Sequence, residues 1–388
     1  MTMRVLLTSN SGAGHIGPLV PFAHAFLDAG HDVLLAAPAA ARPTVEREDL
    51  PFFPLADPPT EETDAIWESL PSLPEEERSV RVMRDIFADI DFRASFPGVL
   101  RAVDRFRPDV LLREPTEYAG LLAAERLGLP HGRIAIMAAA SETWGVPIVA
   151  PALDAHRERL GLPRDPSGRR IKESPYLTVI PEALEAPDDF GPAHAVRFRE
   201  RRAEPRPLPD WWRGGYHRPL VYASYGSVTP SLPFFPELFR ATVAALGELP
   251  VRALFTVGIE VDVSSLGPVP DNVRVERWIP QEAVMPHAAV MIAHGGAGST
   301  RMALAAGVPS VIVPGFADQF RNAERVAALG AGMQATADDL VSAVRRILAE
   351  PSYRESAKRV AAEVARLPLV DEAPESVGAW LGETARAA

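Results

Sequence analysis

Two histidines, each set in a glycine-rich turn, are the residues whose type and spacing could do chemistry. Gly12-Ala13-Gly14-His15-Ile16-Gly17 follows the apolar run MRVLLTSN and is a literal G-x-G-x-x-G. His294 opens His294-Gly295-Gly296-Ala297-Gly298-Ser299-Thr300, directly after VMIA. Glycines ahead of a helix let the backbone approach a ligand, and the exposed N–H groups of the helix start attract an anion. The second cluster therefore reads as a diphosphate site that needs neither lysine nor metal. The first would bind a dinucleotide only with an acid at the far end of the second strand, about 20 residues on. Asp32 stands at that distance from Gly12 but precedes VLLAA, the wrong end, and the far end is Ala37-Pro38. That weighs against NAD or FAD. His15 reads instead as a proton acceptor, its ring expected to stay neutral beside a helix N-terminus. Such a base needs an acid on its other nitrogen. The stretch PDVLLREPTEYAG offers Glu114 and, one helical turn on, Glu117.

Other chemistries lack their residues. There is no cysteine, which removes disulfides, thiolate metal sites and cysteine nucleophiles. Lys172 and Lys358 are the only lysines and neither follows a glycine loop, so a P-loop is excluded. No H-E-x-x-H or G-x-S-x-G occurs, which speaks against a zinc hydrolase and an α/β-hydrolase triad. The net charge of −11 disfavours nucleic acid. Asp89-Ile90-Asp91 is a D-x-D, a metal–diphosphate pattern elsewhere. It falls in the amphipathic stretch RVMRDIFADIDFRASF, where residues two apart point to different faces, and is expected to be a solvated helix side. Met83, Phe87, Trp144 and neighbouring apolar residues read mostly as core, with some lining an apolar pocket near His15.

The elements that must position these residues alternate. In the first half, strands are expected at 3–8, 32–37, 109–113 and 132–137, and helices at 17–29, around 75–105, at 116–127 and at 152–160. Pro18 suits a first helical turn and Gly30 a stop. Residues 203–219, rich in proline with a glycine pair, read as a linker. A second series follows, with strands at 220–227, 251–258, 272–278, 290–293 and 310–315. This pattern predicts an α/β fold of two Rossmann-like domains, their parallel sheets facing a cleft. The expected division is residues 1–205, 206–372, and a C-terminal helix at 373–388 that could return to the first domain. No apolar run approaches the ~20 residues of a membrane helix, and no secretory pattern opens the chain, so a cytoplasmic protein is expected.

The stretch 290–326, with RWIPQEAVMPH (277–287) upstream, resembles the nucleotide-sugar signature of GT-B glycosyltransferases, especially the bacterial enzymes that glycosylate antibiotics. The resemblance spans essentially the whole chain, more loosely between 55 and 105. It implies that Trp278 and Ile279 border the nucleobase and that Gln281 lies near base or ribose. It places His294, Gly296, Gly298, Ser299 and Thr300 on the diphosphate and Asp318 and Gln319 on the sugar hydroxyls. Gly226 and Ser227 match the family's phosphate-side glycine and hydroxyl. His15 matches the base that deprotonates the acceptor, and Glu114 stands where the family has an acid, often the shorter Asp. The implied reaction is an inverting, metal-independent transfer of a deoxysugar from a dTDP-sugar to a hydroxyl of an apolar natural product. No cofactor is implied beyond the donor, and a homodimer is compatible with the sequence. An NDP-sugar epimerase or hydrolase on the same fold, or a nucleotide-sugar-binding auxiliary protein, would share these features.

Overall fold

A computed structural model describes residues 2–185, 195–201, 217–226 and 235–387, without the side chains of residues 75, 76, 235 and 384–387. Ser227 and most of the expected linker lie outside the described residues. The chain divides into two compact units: residues 1–180, 187–200 and 367–388, and residues 181–186 with 201–366.

Among the described residues the first unit holds a seven-stranded parallel sheet. Its strands are β1 (Arg4–Thr8), β2 (Asp32–Pro38), β3 (Phe52–Leu55), β4 (Val110–Arg113), β5 (His131–Ile134), β6 (Tyr176–Thr178) and β7 (Ala195–Arg197). Their order is β3-β2-β1-β4-β5-β6-β7. Val5, Leu6 and Leu7 are all fully buried, as expected of a strand covered on both faces. Leu7 joins the Leu19, Phe22 and Phe26 core on one side, and Leu6 joins the Phe96, Leu121 and Leu122 core on the other.

Three of these strands escape the sequence pattern. β3 carries Pro54, which an edge strand tolerates because one side of its ladder is unpaired. β6 and β7 are three residues each, too short to show a period. The helix Ala139–Leu160 begins well before the expected 152, and Pro147 and Pro151, residues that ordinarily interrupt a helical pattern, stand inside it. The expected long helix near 75–105 is three consecutive segments: Glu75–Arg81, a π-helix Val82–Asp91, and Phe92–Phe106.

The second unit holds a six-stranded parallel sheet among its described residues. The strands are β8 (Leu220–Ser224), β9 (Arg252–Thr256), β10 (Val273–Glu276), β11 (Ala288–Ala293), β12 (Ser310–Ile312) and β13 (Gly332–Gln334), in the order β10-β9-β8-β11-β12-β13. Its core pairs Tyr225, Phe239 and Phe255 with strand residues such as Val290 and Val311. The C-terminal helix Ala373–Ala387 belongs to the first unit. Val370, Ala373 and Val377 are buried in the Phe22–Phe26 core, with Trp380 and Leu381 beside them. Backbone bonds from Arg199 to Pro368 and from Val370 to Arg199 hold the returning chain there.

Both units place their glycine turns at the same topological point. In the first, the strand order reverses between β1 and β4; in the second, between β8 and β11. A crevice outside the carboxyl ends of the strands opens at such a reversal, where ligands bind in open α/β sheets. His15 follows β1 and Glu114 follows β4, with Thr8 and Arg113 in register. Gly226 follows β8 and His294 follows β11, with Ser224 and Ala293 in register. No helix among the described residues is long and apolar enough to cross a membrane.

Candidate active site

Gly12 makes the first turn. Its φ of 106° is strained for any residue with a Cβ, and its carbonyl accepts from the His15 and Ile16 N–H groups. The turn aims His15 at β4, where its Nδ1 lies 3.0 Å from Glu114 Oε1. Glu114 is fully buried, while the imidazole keeps 22% of its side-chain surface. Thr116, absent from the sequence expectations, fixes the carboxylate: its N–H donates to Oε2 at 2.6 Å and its hydroxyl donates to Oε1 at 2.8 Å. Asn10 Nδ2 in turn donates to the Thr116 carbonyl and hydroxyl. Arg113, also fully buried, donates to the carbonyls of Glu114, Pro115 and Ile171 and so holds the loop after β4. With Nδ1 on Glu114, His15 has Nε2 left for a substrate.

Glu117 does not reach His15. Its carboxyl oxygens take the Gly120 N–H and the Thr8 hydroxyl, the latter at 2.5 Å, which makes it the N-cap of the helix Tyr118–Leu127. The geometry therefore separates the two candidate acids into one partner for His15 and one helix cap.

The helix start, which favours a neutral His15 ring, does not set the ring's pKa alone. Burial does act that way, but the Glu114 carboxylate, with Asp91 adding to it, lifts the ring above its ordinary 6.5. The helix Ala13–Ile16 is a single turn, so its dipole is outweighed by a bonded carboxylate. For Glu114, burial alone would raise the carboxyl; His15 and the Thr116 donors outweigh it and hold the group below its ordinary value. The solvated-side reading of Asp89-Ile90-Asp91 is only partly right: Asp89 keeps 41% of its side-chain surface, whereas Asp91 is half-buried. Asp89 binds His156 Nε2 at 3.1 Å and Arg93, and Asp91 lies near His15.

In the second unit, His294 sits between two glycines. A Cβ on Gly226 would lie 2.9 Å from His294 Cε1, and one on Gly296 2.4 Å from His294 Nε2, so both positions must stay bare. Burial pushes the His294 ring down to about 4, against a hydrogen bond that the ring donates to the Ser224 backbone carbonyl, so it is neutral at physiological pH. His294 Nδ1 and Thr300 Oγ1 are buried without hydrogen-bond partners among the described residues. The helix Ala297–Ala305 starts at Gly296 with no side-chain cap, and a Cβ on Gly298 would meet open space. Buried polar groups lacking partners are costly and mark a place for a ligand. Uncapped first-turn N–H groups fit that ligand to an anion. Ser299 lies buried in that same first turn.

Of the remaining nucleotide candidates, Gln281 reaches the end of β8 and Gln319 lies against Gly295. Trp278 is 61% exposed, so it is not a core residue, whereas the Ile279 side chain is buried with Val284 and Met285. Gln281 Nε2 donates to Ser224 Oγ at the end of β8, 3.1 Å away. Asp318 follows Ala317, a non-glycine residue at φ 55°, and burial pushes its carboxyl up to about 6 against the Asn322 bond. Gln319 is turned inward, its Oε1 accepting from the Gly315 and Phe316 N–H groups. Asn322, missed by the sequence reading, ties the region together by donating to Gly295 O at 2.8 Å and Asp318 Oδ2 at 2.9 Å. Its place four residues after Asp318, on the same helical face, was the available signal.

Known proteins resemble this chain along its length. Residues 241–379 match the family described as erythromycin biosynthesis protein CIII-like, C-terminal domain. The chain is 33% identical to L-demethylnoviosyl transferase of Streptomyces niveus, across 97% of this chain and 98% of that protein. It superposes on the glycosyltransferase SnogD from Streptomyces nogalater with a TM-score of 0.78, 28% identity and coverage of 98% and 100%. The glycosyltransferase SsfS6 of Streptomyces sp. SF2575, complexed with thymidine diphosphate, matches with a TM-score of 0.77, 26% identity and coverage of 97% and 99%.

Proposed function

The chain belongs to the bacterial natural-product glycosyltransferases of GT-B fold, and on that premise we propose that it moves a deoxysugar from a thymidine-diphosphate donor to a hydroxyl of an apolar aglycone. The transfer inverts the anomeric centre and uses no metal ion. The observation that carries this reading is the buried Glu114 carboxylate bonded to His15 Nδ1. It fixes the tautomer in which Nε2 is the accepting nitrogen.

In the reaction, His15 Nε2 takes the proton of the acceptor hydroxyl as its oxygen attacks the anomeric carbon. The bond from that carbon to the diphosphate oxygen breaks, and its electron pair leaves on the diphosphate. Attack opposite the leaving group inverts the centre. The charge that develops on the leaving oxygen meets donors already in place, the first-turn N–H groups after Gly296 and the Thr300 hydroxyl, with the His294 ring alongside, whose unpartnered Nδ1 donates once the bound anion draws a proton onto it. Trp278, with its exposed face, stacks on the base, while Ile279, its side chain being in the core, offers its backbone. Gln281 approaches the base or ribose, and Asp318 and Gln319 face the sugar hydroxyls. Gly226 keeps the phosphate side open, with Ser227 as a hydroxyl partner. The thymidine diphosphate held by SsfS6 supports the choice of nucleotide.

His294→Ala tests the donor half. Each hydrogen bond to a charged group contributes about 1.5–3 kcal/mol, so calorimetry should show thymidine diphosphate bound roughly 10–150-fold more weakly. A modest loss of stability should accompany it, since the Ser224 backbone loses the ring's hydrogen bond. Unaltered nucleotide affinity would remove His294 from the diphosphate.

A further inference from the structure

Of the two acids in Asp89-Ile90-Asp91, only Asp89 has a structural duty, with His156 and Arg93. Asp91 is the last residue of the π-helix Val82–Asp91, and its side chain accepts no hydrogen bond from the described residues. Its surroundings point to the His15 turn. Phe87, four residues earlier on the same face, sets its ring edge-on to the imidazole with centroids 5.4 Å apart. Met83, four residues earlier again, packs so closely on the helix Ala139–Leu160 that a Cβ on Gly145 would lie 2.6 Å from its Cε. Asp91 is near enough to His15, Glu114 and Glu117 to interact with all three, and burial pushes its carboxyl up to about 7, His15 opposing this and the glutamates adding to it.

The three acids near His15 are not equivalent. Glu114 has its oxygens on His15 and Thr116, and Glu117 has its oxygens on Thr8 and Gly120. Asp91 alone has both oxygens uncommitted. A carboxyl that reaches solvent-accessible space without a protein donor is open to a ligand's, and π-helical segments are frequent at functional sites.

We propose that Asp91 is a positioning residue for the acceptor, accepting a hydrogen bond from a second hydroxyl adjacent to the one His15 deprotonates. Phe87 packs against the apolar body between them. The chain thereby selects acceptors that carry two neighbouring hydroxyls on an apolar ring. This rests on the transferase reading, so its test reads binding alone and does not depend on sugar transfer.

The test is calorimetry of the intact chain with 2,3-dihydroxynaphthalene and with 2-naphthol. One added hydrogen bond should favour the diol by about tenfold in the wild type. Asp91→Leu should bring the ratio of the two affinities close to one. Asp91→Asn, which keeps an accepting oxygen, should keep most of the preference, an outcome that a merely structural role would not produce. Equal affinities in the wild type overturn the proposal, and so does an unchanged ratio in Asp91→Leu that retains the wild-type circular dichroism.

Discussion

His15→Ala is expected to lower kcat for sugar transfer by about 10²–10⁴-fold, the span that a positioned general base contributes. Nucleotide binding should be untouched. His15 is held by the first unit's turn after β1, while every residue assigned to the diphosphate stands on the second unit's turns after β8 and β11. The two readouts are thus separable in one variant: transfer rate by product formation, and thymidine diphosphate affinity by calorimetry. Removing the imidazole also leaves Glu114 buried with one donor fewer, although the Thr116 N–H and hydroxyl still bond it. A modest loss of stability should therefore accompany the loss of rate. Transfer at the wild-type rate would eliminate His15 as the base. Loss of nucleotide affinity would mean that the residue serves the donor rather than the acceptor.

Glu114→Gln should cost nearly as much, for a reason in the hydrogen bonds rather than in charge alone. The Thr116 N–H cannot rotate away and claims an oxygen of residue 114 at 2.6 Å. A glutamine there presents its carbonyl to Thr116 and its NH₂ to His15 Nδ1. The imidazole must then accept at Nδ1 and carry its proton on Nε2, the tautomer that cannot take a proton from a substrate. A loss of about 10²–10⁴-fold in kcat follows, by analogy with removal of the orienting acid in other base–acid pairs. The pH profile supplies the second reading. In the wild type, the paired carboxylate raises the His15 pKa, so the base form disappears as pH falls through a value above 6.5. Without that negative charge burial dominates and lowers the ring's pKa, so the residual activity should persist to lower pH. An acidic limb that does not move would show that Glu114 does not act on His15.

The sequence made the chemistry legible where glycine and histidine coincide. The HGGAGST turn, the switch of MRVLLTSN into SGAGHIGP, and the missing acid at Ala37-Pro38 were enough to propose one turn for proton transfer and the other for phosphate. What it did not show depends on bonds across the sheet. Glu114 and Glu117 are three residues apart, and only the register of β4 beside β1 puts one on His15 and makes the other a helix cap. The His15 pKa followed the same course: the local helix start favours the neutral ring, and a carboxylate 99 residues away shifts the pKa upward instead. Thr116, Asn322 and Arg113 were missed because each works by bonding backbone or carboxylate groups already in place, which leaves no spacing to recognise. Asp91 was misread because its spacing gives no sign that this π-helix, through Phe87, packs beside the His15 turn. In the fold, short strands such as β6, β7 and β13 and the proline-bearing β3 have too few residues for a period to emerge.

Direct displacement by a base-activated hydroxyl, with the leaving diphosphate stabilised by protein donors alone, is the claim on which the rest depends. It is tested most directly by running the reaction in excess EDTA and determining the anomeric configuration of the glycosylated product by proton NMR. The predicted result is a product of configuration opposite to the donor's, formed at the rate seen without chelator. A product that retains the donor's configuration, or transfer that stops with EDTA, would contradict it.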